Sequence, residues 1–152
     1  MMLNDDYKDM LLALSHERAE FLLVGAYALA AHGYPRATVD IDFWVRPSIE
    51  NSEAVMRAIN AFGAPPLNLT LSDLQKDDTV FQIGVAPKRI DIITSLSGLE
   101  FDDAYKNSIE VELEGIQLRI PSIPDMIRNK RATGRVKDSA DANALEELPS
   151  SD

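Results

Sequence analysis

Three aspartates, Asp40, Asp42 and Asp91, carry the residue types and spacing that could do chemistry. Asp40 and Asp42 stand two apart in an apolar run, and on a strand that spacing puts both carboxylates on one face. Ile41 and Phe43 then point to the other face. Asp91 sits in a second such run, Lys88-Arg89-Ile90-Asp91-Ile92-Ile93, opposite Ile90 and Ile92. If the two strands are neighbours, the three acids converge and repel one another unless cations neutralise them. Two Mg²⁺ ions, with Mn²⁺ as the alternative, suit that need, being hard ions that prefer oxygen ligands. Two-ion chemistry activates an attacking hydroxyl and steadies the leaving oxygens of an in-line displacement at phosphorus. The plain alternative is a pair of acids that only guard a strand edge.

A second ingredient precedes the acids. The apolar run at 21–24 meets Gly25-Ala26 and then an alanine-rich segment. A glycine between a strand and a helix start lets backbone N–H groups approach a phosphate. Arg36 and Thr38 add a guanidinium, suited to a triphosphate oxygen, and a hydroxyl close to Asp40. Farther on, Arg119, Arg128, Lys130, Arg131, Arg135 and Lys137 make a basic cluster in an otherwise acidic chain of net charge −10. The overall charge argues against a broad nucleic-acid surface, whereas the local cluster suits phosphates.

Gly25-Ala26, Arg36-Ala37-Thr38-Val39-Asp40-Ile41-Asp42, Arg89-Ile90-Asp91 and the later Lys130…Gly134-Arg135-Val136-Lys137-Asp138…Asp141 together resemble the DNA polymerase β-like nucleotidyltransferase superfamily. Within it they resemble the minimal bacterial proteins related to AbiEii-type toxins. The resemblance spans residues 21–148. It implies the nucleotidyltransferase fold and transfer of a nucleoside monophosphate from an NTP to an acceptor hydroxyl on an RNA end, a protein side chain or a small molecule. Asp40, Asp42 and Asp91 are then the catalytic, metal-holding acids. Gly25, Ala26, Arg36, Thr38, Lys130, Arg135, Lys137 and Asp138 handle the nucleotide, and Asp138 or Asp141 orients the basic groups. The implied partners are the NTP, an acceptor such as tRNA or a protein, and a cognate toxin or antitoxin. The other reading is a catalytically degenerate protein of this fold that acts as a binding or regulatory partner, antitoxin-like. One departure from the family pattern stands at Ala26, where a second glycine or a serine is usual.

The elements that must position these residues follow from the pattern. Helices are expected over residues 3–19, 26–31, about fourteen residues from Ser48, 101–106, 123–133 and 138–148, with a short helical turn near 72–75. Capping residues (Asn4 or Asp5, Ser48 or Asn51, Ser122) mark three of the starts, and Pro124 fits a first turn. Strands are expected over 21–24, 38–45, 79–85 and 89–94, and a hairpin over 109–113 and 117–120 turns at Glu114-Gly115. This is an α/β (α+β) chain with a mixed sheet and helices packed against it. Its 152 residues, 45% hydrophobic, suit one domain over 1–148, with an acidic, disordered tail at 149–152. No cysteine is present, which excludes thiolate chemistry and disulfides. No segment is apolar for long enough to cross a membrane, and the acidic start does not read as a signal peptide, so a cytoplasmic protein is expected. His16 and His32 are read as structural, Trp44 as core, and Ser95 and Ser97 lack the histidine a hydrolytic triad needs.

Overall fold

The computed structural model describes residues 2–64 and 68–148, so the expected acidic tail lies outside the described residues. The elements run α1 (Asp5–His16), β1 (Phe21–Val24), α2 (Ala26–Ala31), β2 (Asp40–Val45), α3 (Ile49–Phe62), a 3₁₀ turn (Asp73–Gln75), β3 (Val80–Ile83), β4 (Arg89–Ile93), α4 (Phe101–Asn107), β5 (Ile109–Leu113), β6 (Ile116–Ile120), α5 (Ile123–Ala132) and α6 (Val136–Glu146). The sheet has the order β1-β2-β4-β3, and β5 and β6 form a separate hairpin. β2 pairs antiparallel with β1 and parallel with β4, while β3 closes the far edge antiparallel to β4. The mixed sheet is as expected from the residues.

Alternation divides the sheet into two faces. Phe21, Leu23, Ile41, Phe43, Val45, Ile90 and Ile92 turn to one side and join the main core. There they meet the apolar stripes of α1 (Met10, Leu11, Leu14) and α3 (Val55, Ala58, Ile59), all essentially inaccessible to water. The opposite face carries Leu22, Val24 and Trp44, which pack with Phe101 and Ala104 of α4 into a smaller core. The Trp44 and Phe101 rings meet edge-to-face at 5.2 Å, a favoured aromatic geometry. Trp44 is therefore a core residue. Asp40 and Asp42 share its face, so β2 reads as two acids followed by an aromatic anchor.

Local chemistry sets the boundaries. Asn4, Ser48 and Ser122 each accept a backbone N–H from the first turn of their helix, at Tyr7, Asn51 and Asp125. Asn51 is not the cap of α3 but a buried clasp: its side chain accepts from Glu20 N and donates to the carbonyls of Glu20 and Arg46. That fixes the start of α3 against the ends of β1 and β2. Most differences from the expected bounds are trims at the ends: β2 begins at Asp40, because Thr38 uses its hydroxyl to hold Asp40 rather than joining the ladder. β3 spans only Val80–Ile83. α6 starts earlier, at Val136.

Candidate active site

The parallel register of β2 and β4 sets Asp40 beside Arg89 and Asp42 beside Asp91. Each of the three acids offers an oxygen within 4.8 Å of the others, so the convergence read from the two strands is present. Asp91 is buried, and its Oδ1 accepts no hydrogen bond among the described residues. A buried carboxylate oxygen without a donor is costly unless an ion is its intended partner. Oδ1 has only the ion pair to Arg89 Nε at 3.2 Å, and the oxygens of the three acids together fit a hard divalent cation.

Gly25 explains why Asp42 can stand where it does. Its backbone, φ +73° and ψ −151°, lies in a region that only glycine occupies freely. A Cβ there would sit 2.5 Å from Asp42 Oδ2. The missing side chain is thus the seat of the carboxylate. Burial pushes the Asp42 carboxyl up to about 7, helped by the Asp40 charge and by Asp91, while Arg89 opposes the shift. Thr38 steadies Asp40 by donating to Oδ1 at 3.2 Å.

Next to the acids opens a cleft of about 540 Å³. Gly25, Ala26, Arg36, Thr38, Asp40 and Asp42 line one side. Lys130, Arg135, Lys137, Asp138 and Asp141 line the other. The chain thus brings the glycine turn, the acid strand and the distant basic segment to one place. The cations are held by two buried aspartates of α6. Arg36 Nη1 lies 2.6 Å from Asp141, Lys130 Nζ 3.4 Å from Asp138 and 3.6 Å from Asp141, and Arg135 Nε 2.9 Å from Asp138. Burial alone would raise the Asp138 carboxyl, but the Thr133 hydroxyl, Lys130 and Arg135 overcome it and hold it below the usual carboxylate range. Lys137 makes no ion pair with a described residue.

The basic cluster of the sequence is not one patch. Arg119 on β6 holds Ser108 and lies over the Tyr105 ring. Arg131 pairs with Glu146. Arg128 borders a different cleft of about 590 Å³, beside Trp44 and Arg46, that none of the expected site residues lines. The helical period separates them: of the α5 cations only Lys130 lines the cleft beside the acids. His32 Nε2 contacts the Pro121 carbonyl at 2.7 Å and His16 is exposed. The residue that sequence reasoning passed over is Arg89. Its guanidinium reaches Asp40 Oδ2 at 2.6 Å and Asp91 Oδ1 at 3.2 Å. The signal was available, since a residue two before Asp91 on the same strand must share its face.

No protein-family model matches the chain, and no curated protein matches it. Among solved structures it resembles a Thermotoga maritima protein described as a "putative nucleotidyltransferase", with a TM-score of 0.58 and 16% identity over 92% of this chain and 88% of that one. At that identity the likeness speaks for the backbone arrangement, and the chain has the nucleotidyltransferase fold.

Proposed function

We propose that the protein is a metal-dependent nucleotidyltransferase that moves a nucleoside monophosphate from an NTP to an acceptor hydroxyl. The observation that carries this reading is the convergence of Asp40, Asp42 and Asp91 at the edge of a cleft lined by four cationic side chains. In this reading the three carboxylates hold Mg²⁺, or Mn²⁺ in its place, which would lower the pKa of the acceptor hydroxyl and offset charge on the phosphates. Arg36, Lys130, Arg135 and Lys137 take the oxygens of the triphosphate, and Gly25-Ala26 lets the backbone come close to it. Asp138 and Asp141 keep those cations pointed into the cleft. The acceptor oxygen bonds to the α-phosphorus as the bond to the bridging oxygen breaks and pyrophosphate leaves. The acceptor proton passes to Asp91.

The acceptor hydroxyl belongs to an RNA end, a protein side chain or a small molecule. The resemblance to AbiEii-type toxins makes a toxin of a toxin–antitoxin pair, with a cognate antitoxin as partner and a cytoplasmic setting, the finer form of the proposal. Among the described residues no helix is long and apolar enough to cross a membrane. The complete acid triad favours catalysis over the binding-only, antitoxin-like reading. Incubation with each α-labelled NTP, Mg²⁺ and a cell extract tests it. Label should enter one macromolecular fraction and vanish in Asp40→Asn/Asp42→Asn. Folded protein that labels nothing with any of the four NTPs would sink the proposal.

A further inference from the structure

We propose that Arg89 is the resident cation of the acidic centre: it neutralises Asp40 and Asp91 in the ion-free protein and gives way when a divalent ion binds. The inference rests on the reading of Asp40, Asp42 and Asp91 as an ion site, and it assigns to Arg89 control over how readily that site fills.

The register is the first argument. Arg89 and Asp91 lie two apart on β4, so their side chains share the face that Asp40 and Asp42 occupy on β2. Arg89 stands directly beside Asp40 in the parallel ladder, and its guanidinium spans from Asp40 Oδ2 at 2.6 Å to Asp91 Oδ1 at 3.2 Å. It thus contacts two of the three carboxylates that an ion would use. A guanidinium and a divalent ion cannot share those oxygens without strong like-charge repulsion.

The quality of the pairing is the second argument. Arg89 Nε and Asp91 Oδ1 are both buried, and neither makes a hydrogen bond despite lying 3.2 Å apart. Arg89 holds Asp91 by a single long hydrogen bond, Nη2 to Oδ2 at 3.3 Å, rather than by the aligned two-bond fork that makes arginine–carboxylate pairs hard to separate. An ion ligated by Asp91 Oδ1 satisfies an oxygen that Arg89 pairs by charge but leaves without a hydrogen bond. The guanidinium meanwhile has somewhere to go, because its side chain is 32% exposed whereas that of Asp91 is only 9% exposed. The carboxylates are fixed by the sheet and the cation is the movable member.

The third argument is the contrast with the other cations near the acids. Arg36 and Lys130 are tied to Asp141 and Asp138 on α6, so they neutralise α6 and leave the triad alone. Among the described residues, Arg89 is the one cation in contact with Asp40 or Asp91.

The test is ion binding without nucleotide. Mn²⁺ affinity is measured at pH 7.5 from the spin-resonance signal of free ion for the wild type, Arg89→Gln and Arg89→Lys, with thermal melts in EDTA and in saturating Mn²⁺. Arg89→Gln should bind Mn²⁺ roughly tenfold more tightly, a difference of about 1.4 kcal/mol. It should melt lower than the wild type in EDTA and gain more from Mn²⁺. Arg89→Lys, which keeps the charge but loses the guanidinium that spans Asp40 and Asp91, should fall between and serves if the glutamine variant does not fold. Equal or weaker Mn²⁺ binding in both variants overturns the inference, as does the absence of Mn²⁺ binding in all three proteins. The outcome is separable from the transferase reading: tighter binding in the variants with no labelling from any NTP keeps Arg89 as resident cation and removes the enzyme. Labelling with unchanged affinities does the reverse.

Discussion

Gly25 and Asp42 form one unit, and each makes the other testable. The glycine has a backbone conformation that disfavours any side chain, and a Cβ would collide with Asp42 Oδ2. Gly25→Ala should therefore cost about 2–4 kcal/mol in urea unfolding, from strain plus overpacking, and should weaken Mn²⁺ binding because the carboxylate must move. A variant with wild-type stability and affinity would remove the seat from the description. Asp42 also predicts a pH dependence. Its carboxyl titrates near 7 in the fold, against an ordinary value of 3.8. Between those values the folded state binds more protons than the unfolded state, so this contribution is present below about pH 4 and is lost as pH rises through 7. In EDTA the wild type should thus lose melting temperature between pH 5 and 8 relative to Asp42→Asn. Ion binding must expel the same proton, so Mn²⁺ affinity should climb by up to roughly tenfold per pH unit and level off above 7. A flat profile in both measurements would return Asp42 to an ordinary carboxylate.

Strands β2 and β4 show what could be read in advance and what could not. Period-two alternation alone put Asp40, Asp42 and Asp91 on faces that the parallel register then joined, because a buried strand leaves its side chains only two directions. The same rule extended to Arg89 would have found the fourth member of the cluster. Periodicity alone did not sort the basic segment, since which of its side chains reach the cleft depends on how α5 and α6 dock; the family resemblance singled out Lys130, Arg135 and Lys137, and these line the cleft. Ends of elements depended on side-chain bonds such as Thr38 to Asp40, which no pattern of apolar residues announces. Asn51 is the clearest example. A residue that reads as a helix cap is instead 5% exposed and holds Glu20 and Arg46 at the base of the sheet. Asn51→Ala leaves a buried N–H and two carbonyls without that partner and should cost about 2–4 kcal/mol, whereas loss of a cap alone costs about 1 kcal/mol. Urea unfolding distinguishes the two roles.

Across the molecule, the cleft is assembled from two distant stretches of chain, and Asp141 is the joint. The stretch 25–42 brings the glycine turn, Arg36 and two of the acids, while 130–141 brings the remaining cations. Asp141, with a side chain 4% exposed, ties Arg36 of the first stretch to Lys130 of the second. Removing one member of a buried ion pair strands the others, so Asp141→Asn should destabilise the protein by about 3 kcal/mol. The loss should be local before it is global. α6 packs mainly on α5 and contributes few large apolar side chains, chiefly Leu145, to the main core, so α6 has few apolar contacts to keep it docked once the ion pairs fail. Hydrogen exchange of Asp141→Asn should therefore show the amides of α6 losing protection by two orders of magnitude or so (about 3 kcal/mol), while those of β2 and β4 keep theirs. If α6 stays as protected as in the wild type, apolar packing and not the ion pairs holds the basic wall in place. The cleft would then owe its shape to the α5–α6 contact, and Asp141 only its charge balance.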